Sequence, residues 1–333
     1  MSLNVNGQIV ADDIFAATKL DPHRPVYLLV GAVEKIVVKR DNTGQANDPR
    51  NMAHALRNMR AVDSTMATRQ LTPVELRELA SFVESEKRDG EAFGGQVSPD
   101  ILAFEQDLRG AGGVSWVKTA FFEGLINLES AAAKAREQGN KSGVRAIAAA
   151  LRAPGGLEKL GAILAVDAFN GNDDRFDFSD QPVVNGGLNR LTNPGNVAVC
   201  LQHNVMRPVG MDAYAGAAEF RSLDQAGQPP RRWSGYRLKD EQRGWRQRFC
   251  EEVAADIETT LGPRNRKIIF VATNRLPKNA GQRLATGMDQ GIAKLKATLQ
   301  TIRDPRQAPP GLIGRMVALG WAKPAPPPGL PRR

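Results

Sequence analysis

Leu164-Ala165-Val166-Asp167-Ala168-Phe169-Asn170-Gly171-Asn172 runs directly into Asp173-Asp174-Arg175-Phe176. An apolar run ends in a burst of Asn, Gly and Asp, and residues 157–166 before it read as a compact apolar helix. A carboxylate placed just after a buried segment can be held firmly beside a cleft and accept a proton from a substrate hydroxyl. Downstream lie Asn193-Pro194-Gly195-Asn196, a β-like run at residues 197–201, and Pro208-Val209-Gly210-Met211-Asp212. Asn and Asp oxygens suit magnesium, which prefers hard oxygen ligands and usually bridges substrate phosphates. Asp174, Asn196 and Asp212 therefore read as one constellation, a base and two metal ligands. Taken alone, Asn-Gly-Asn-Asp-Asp is a solvated turn, and its spacing lacks the terminal Glu of an EF-hand loop. Asp174, beside Arg175, is the better base than Asp173. Asp167 is expected to support the loop, and Arg175 to pair with a neighbouring acid.

Composition sets the outer bounds. The chain has 333 residues, 41% hydrophobic and 24% charged, enough for one large domain or two lobes sharing a cleft. No run is long and apolar enough to span a membrane, and the N-terminus lacks the pattern of a secretory signal. Two cysteines, Cys200 and Cys250, sit in apolar-periodic surroundings and read as buried thiols. A cytoplasmic setting follows, compatible with export by a route that needs no signal peptide. The net charge of +9 leaves affinity for nucleic acid, a membrane surface or an acidic protein open, but aromatics are scarce and no RNA-binding signature occurs.

The N-terminal part carries strand signals. Residues 26–30 and 36–40 are β-branched runs around a turn, and residues 114–122 form a third candidate strand. Helical spacing recurs at residues 52–62 and 99–108. Thr72-Pro73-Val74-Glu75 is a helix start, with Thr as N-cap, Pro at the first position and an acid at the third. Residues 129–152 are Ala-rich and helical, with a charged patch over residues 134–141. Two amphipathic helices follow, over residues 245–261 and 285–302. Residues 222–235 read as a loop. The expected organisation is α+β: residues 1–120 as a small strand-containing lobe, 121–322 as a larger, mainly helical lobe, and 323–333 as a Pro-rich tail whose final residues fit the form that SH3-type grooves bind.

Lys39 closes the second strand, where a lysine can serve as a fixed point charge for phosphate oxygens. Gly139-Asn140-Lys141-Ser142 resembles the end of a P-loop only superficially, because no opening glycine follows a strand there. The three histidines are too dispersed for a zinc pattern.

The order of strand lysine, Asp-Arg, Asn, strand and Asp resembles the catalytic core of atypical kinases. The segments D-A-F-N-G-N-D-D-R-F, N-P-G-N-V-A-V and G-M-D are closest to the actin-fragmin kinase type and related bacterial effector kinases. Lipid kinases of the phosphatidylinositol 3-kinase class and HipA-type kinases are similar. The resemblance implies a two-lobed protein kinase-like fold and an ATP- and magnesium- (or manganese-) dependent phosphotransferase acting on protein. It implies Asp174 as catalytic base, Asn196 and Asp212 as metal ligands, and Lys39 as the nucleotide-phosphate lysine. Residues 116–125 resemble the hinge strand whose backbone holds adenine, at Phe122 and Glu123. Phe176 stands where a His is usual, the interval between Asp174 and Asn196 is longer than in lipid kinases, and no glycine-rich loop precedes Lys39. The helix at 52–62 contains no Glu, so the acid pairing with Lys39 would have to be Glu75 or Glu78. Two alternatives accompany this reading: a catalytically inactive kinase-like binding protein, and an AMP-transferring enzyme.

Overall fold

The computed structural model describes residues 3–40, 49–64, 66, 68–92, 94–110, 116–182, 184, 186–202, 204–211, 233–262, 275–302 and 312–323. The architecture is α+β. The chain divides into two compact units, one of Met1–Arg60 and Ser64–Glu123, the other of Ala61–Asp63 and Gly124–Arg333. The main crossing falls between Glu123 and Gly124, where the glycine takes a left-handed φ of 63° that a side chain would resist.

The first unit is a five-stranded antiparallel sheet with helices. Its strands are β1 (Ala16–Lys19), β2 (Val26–Val30), β3 (Lys35–Arg40), β4 (Thr68–Gln70) and β5 (Trp116–Ala120), in the order β1-β2-β3-β5-β4. Alternation decides which face is covered. Tyr27, Leu29, Ile36, Val38 and Trp116 are buried in one cluster with Leu79, Phe82 and Val83 of α2 (Pro73–Ala92) and Ile101 and Phe104 of α3 (Pro99–Arg109). The helix α1 (Pro49–Val62) lies between β3 and β4 in sequence. The expected start of α2 is present in full. The Thr72 hydroxyl accepts from the Glu75 N–H at 3.2 Å, and the Glu75 carboxylate accepts from the Thr72 N–H at 2.9 Å, a reciprocal capping box.

The second unit holds a three-stranded antiparallel sheet, β6 (Ile126–Asn127), β7 (Ala198–Gln202) and β8 (Val205–Val209), and, among the described residues, further helices. These are α4 (Leu128–Glu137), α5 (Ser142–Arg152), α6 (Gly156–Asn170), α7 (Arg243–Thr260), α8 (Ala280–Gln300) and α9 (Leu312–Ala318). The sequence places the end of α6 near residue 166, but it continues to Asn170, so Asp167 is helical rather than part of a loop. From Leu160 to Asn170 every residue is buried. A helix apolar on all sides is a core helix, and α6 packs on α8 through glycines. A Cβ at Gly161 would come within 2.0 Å of the Leu284 carbonyl oxygen, and one at Gly287 within 2.0 Å of the Glu158 carbonyl oxygen. Gly171 ends the helix at φ 70°, with its N–H returned to the carbonyls of Asp167 and Ala168.

The last carbonyls of α6 lie in the interior, and distant residues satisfy them. Trp233 Nε1 donates to the Phe169 oxygen at 3.2 Å, Ser234 Oγ to the Ala168 oxygen at 3.0 Å, and Arg315 Nη1 to the Phe169 oxygen at 2.5 Å. Arg315 is fully buried, and its guanidinium lies 5.3 Å from the Trp233 ring centre. A cation at this helix end also complements the macrodipole.

Candidate functional site

The site is built around Arg175. Its Nε donates to Asp167 Oδ2 at 2.8 Å, and Asn172 Nδ2 donates to Asp167 Oδ1 at 3.0 Å. Arg175 Nη1 donates to the carbonyl of Asn196, and Nη2 to the carbonyl of Met211. One buried side chain thereby joins the end of α6, the turn before β7 and the segment after β8. The planar guanidinium suits this, because its donors diverge in fixed directions. Complete burial pushes the Asp167 carboxyl above its usual range, while Arg175 and Asn172 work in the opposite direction. Asp167 is the counter-charge of Arg175, in the supporting role expected of it.

Asp174 is exposed, one residue from this knot. Its Oδ2 accepts from Asn196 Nδ2 at 2.7 Å. Asn196 is nearly buried and ends the short turn Pro194–Asn196, whose start is capped by Asn193 accepting the Gly195 N–H at 3.0 Å. With its amide nitrogen committed to Asp174, Asn196 retains Oδ1 as a hard oxygen acceptor.

The interval between Asp174 and Asn196 folds back on itself. Phe176 and Leu191 form an isolated antiparallel bridge, and the Asp177 N–H donates to the Arg190 carbonyl at 2.8 Å. Thr192 Oγ1 contacts the carbonyl oxygens of Asp173 at 3.0 Å and Asp174 at 2.9 Å. A carboxylate from α7 holds the returning strand: Asp256 Oδ2 accepts the N–H groups of Asn189, Arg190 and Leu191 at 2.9, 2.5 and 3.0 Å. The inserted residues thus return Asn196 to Asp174.

The approach to Asp212 is also held. The Gly210 N–H donates to Asp63 Oδ2 at 3.2 Å, and Asp63 Oδ1 pairs with Lys159 Nζ at 2.8 Å. Asp212 itself lies outside the described residues. Among the described residues, no group of three or more His, Cys, Asp or Glu side chains is placed to hold a metal ion. Asp174 and Asn196 are oxygen-bearing side chains in contact, a donor set of the hard type magnesium takes.

Lys39 belongs to the first unit. It pairs in register with Val26 and Val117 and is half-buried. Its face of the sheet is opposite that of Val38, and Lys118, paired with Val38, lies on Val38's side. The acid sought for Lys39 at Glu75 has other partners. Glu75 Oε1 accepts from Lys118 Nζ at 2.8 Å, from Arg69 Nη2 at 2.6 Å and from the Ile9 N–H at 3.1 Å. Glu78 accepts the Ala11 N–H at 2.9 Å. Lys118 and Glu75 are both fully buried, and Lys118 also donates to the carbonyls of Asn4 and Gly7. Burial alone would raise the Glu75 carboxyl. The hydrogen bond from Lys118 and those from Thr72 and Ile9 outweigh it and hold the group below the ordinary carboxylate range. A buried lysine–glutamate pair thus exists, but Lys118 supplies the lysine. Alternation puts Lys118 on the same face as Trp116, but its partner Glu75 lies 43 positions away in another element.

Phe122 is half-buried and Glu123 exposed, in the segment that follows β5 and precedes the crossing to the second unit. Of the residues singled out in the sequence, Asp174 and Asn196 are in contact. Arg190, Thr192 and Asp256, which fix that contact, carry no motif of their own. The chain matches no protein-family model, no curated protein and no solved structure.

Proposed function

We propose that the chain is an ATP- and magnesium-dependent phosphotransferase of atypical kinase type, acting on protein. The observation that supports this most is the Asp174–Asn196 contact at 2.7 Å, with Arg175 holding the carbonyls of Asn196 and Met211. Phosphoryl transfer asks little of a protein beyond positioning, a base and charge neutralisation. Asp174 is exposed and oriented by an amide donor, as a base awaiting a substrate hydroxyl should be. It would take the hydroxyl proton as the substrate oxygen bonds to the γ-phosphorus and the bond to the departing diphosphate breaks. Asn196, through Oδ1, and Asp212 would hold the metal. Bound magnesium supplies neutralisation of phosphate charge. Lys39, Phe122 and Glu123 are assigned to the nucleotide on the sequence resemblance.

The test has two stages. Thermal denaturation with ATP and magnesium or manganese should show a rise in Tm over ATP or metal alone, and no rise would overturn the reading. Transfer of labelled γ-phosphate should then be lost in Asp174→Ala. Transfer that survives would remove Asp174 from its role.

A second reading, a kinase-like protein that binds without transferring phosphate, draws on one observation. Glu75, the acid sought for Lys39, is engaged with Lys118 and Arg69. Nucleotide binding without transfer would favour it.

A further inference from the structure

A groove of about 630 Å³ lies wholly within the second unit, between α4, the start of α5, the loop around Leu188 and the end of α7. Its floor is apolar, built from Ala132, Ala135, Val144, Leu188 and Leu261. Two cations, Arg136 and Lys141, stand on its margin and are exposed. Neither makes an ion pair or a side-chain hydrogen bond among the described residues. The hydroxyls of Thr259 and Thr260, also on the wall, are spent on the carbonyls of Ala255 and Asp256 in their own helix. Among the described residues the groove's free polar capacity is therefore mainly cationic, with Glu129 the one acid on the wall.

The charge around it is one-sided as well. Residues 134–145 carry Lys134, Arg136, Lys141 and Arg145, all exposed, against Glu137 alone. Unpaired cations around an apolar floor match a ligand that brings apolar side chains and negative charge together. The volume falls in the range of ligand-binding clefts, roughly 300–1,000 Å³, which accommodates a few side chains. Basic clusters are a recurrent means of reading acidic peptide motifs, and charge complementarity supplies both steering and selectivity.

We propose that this groove docks an acidic peptide segment of a protein partner, with an apolar side chain seated on the Ala132–Ala135–Val144 floor and flanking carboxylates at Arg136 and Lys141. Pro194 forms part of the wall, two residues from Asn196. The groove is thus adjacent in the chain to the Asp174–Asn196 contact. The docking itself does not depend on phosphate transfer.

The experiment uses the full chain without nucleotide. A short fluorescent peptide of Asp and Glu with a central Leu is titrated, and anisotropy is read. Saturable binding is expected. It should weaken at least tenfold in the double variant Arg136→Glu, Lys141→Glu, whose exposed positions leave the fold intact. Exchanging the central Leu for Ser should weaken it by a comparable factor. Filling the floor with Ala135→Trp should abolish it while circular dichroism stays unchanged. Three results would overturn the proposal: no saturable binding, binding indifferent to the charge reversal, or equal affinity for the Ser peptide and for a DNA oligonucleotide of similar charge, which would mean a general polyanion surface.

Discussion

Replacing Arg175 with Met keeps the length of the side chain and removes every donor. Asp167 is then a wholly buried carboxylate that keeps the hydrogen bond from the Asn172 amide. Removing one member of a buried ion pair costs about 3–5 kcal/mol. The carbonyls of Asn196 and Met211 lose the donor they share, so we expect a loss near the upper end of that range at neutral pH. The pH dependence gives the more discriminating readout. Burial already raises the Asp167 carboxyl above 3.8, and loss of the arginine raises it further. A carboxyl whose folded pKa exceeds its unfolded value takes up protons on folding. Its relative contribution is therefore best below the unfolded value and declines as pH rises through the folded one. The deficit of Arg175→Met against the parent should be smallest near pH 4 and widen toward pH 7, by at most about 1.4 kcal/mol per pH unit. Urea unfolding followed by tryptophan fluorescence, repeated across that range, measures it. The double variant Asp167→Asn, Arg175→Met removes the uncompensated charge and should recover about 2 kcal/mol of the loss. A single-variant loss under about 1 kcal/mol, a deficit flat with pH, or a double variant less stable than the single would refute the account.

Glu75 titrates with the opposite sign. Its carboxyl is held below 4.5, so its contribution is present above that pH and lost as pH falls further. Glu75→Gln should abolish this acid-side loss in urea titrations and leave Lys118 without its buried counter-charge, at about 3–5 kcal/mol near neutrality. Gly287→Ala reverses the usual helix preference. Alanine ordinarily gains about 1 kcal/mol over glycine in a helix, but here the new methyl group meets the Glu158 carbonyl oxygen at 2.0 Å, so thermal denaturation should show a lower Tm. Burial pushes the Cys250 thiol up to about 12, and a disulfide reagent at neutral pH should label it only after denaturant is added.

Periodicity carried much of the fold. The strands at residues 26–30 and 36–40, the capping box at Thr72 and Glu75 and the long helix at residues 243–260 all follow from local chemistry. The end of α6 did not, because Asn170 looks like the start of a turn until Trp233, Ser234 and Arg315 are known to donate to the carbonyls of Ala168 and Phe169. In the site, the Asp174–Asn196 contact has a signal in its motifs, but the means of bringing the two together does not. Asp256 is an ordinary acid on a helix, and its role depends on three N–H groups more than sixty positions away. Lys118 was passed over because hydropathy alone gives no reason to bury a lysine. The reason is Glu75, found only when β5 and α2 are seen together.

The capping of α6 sets a timetable for the molecule. Two of the groups that complete the helix end lie 64 and 66 positions downstream, and the third, Arg315, lies 146 positions downstream. Contacts of such long sequence separation close late. On a ribosome, the segment bearing Asp174 emerges well before the arginine that finishes the helix leading into it. The N-terminal sheet can form as soon as β5 is made, whereas the helix leading into the Asp174 loop gains its last donor only after Arg315 is made. A truncation ahead of Arg315 would therefore retain every residue of the motifs and still lack one of the donors to the helix that leads into them, so that the site leans on a residue far beyond its own motifs.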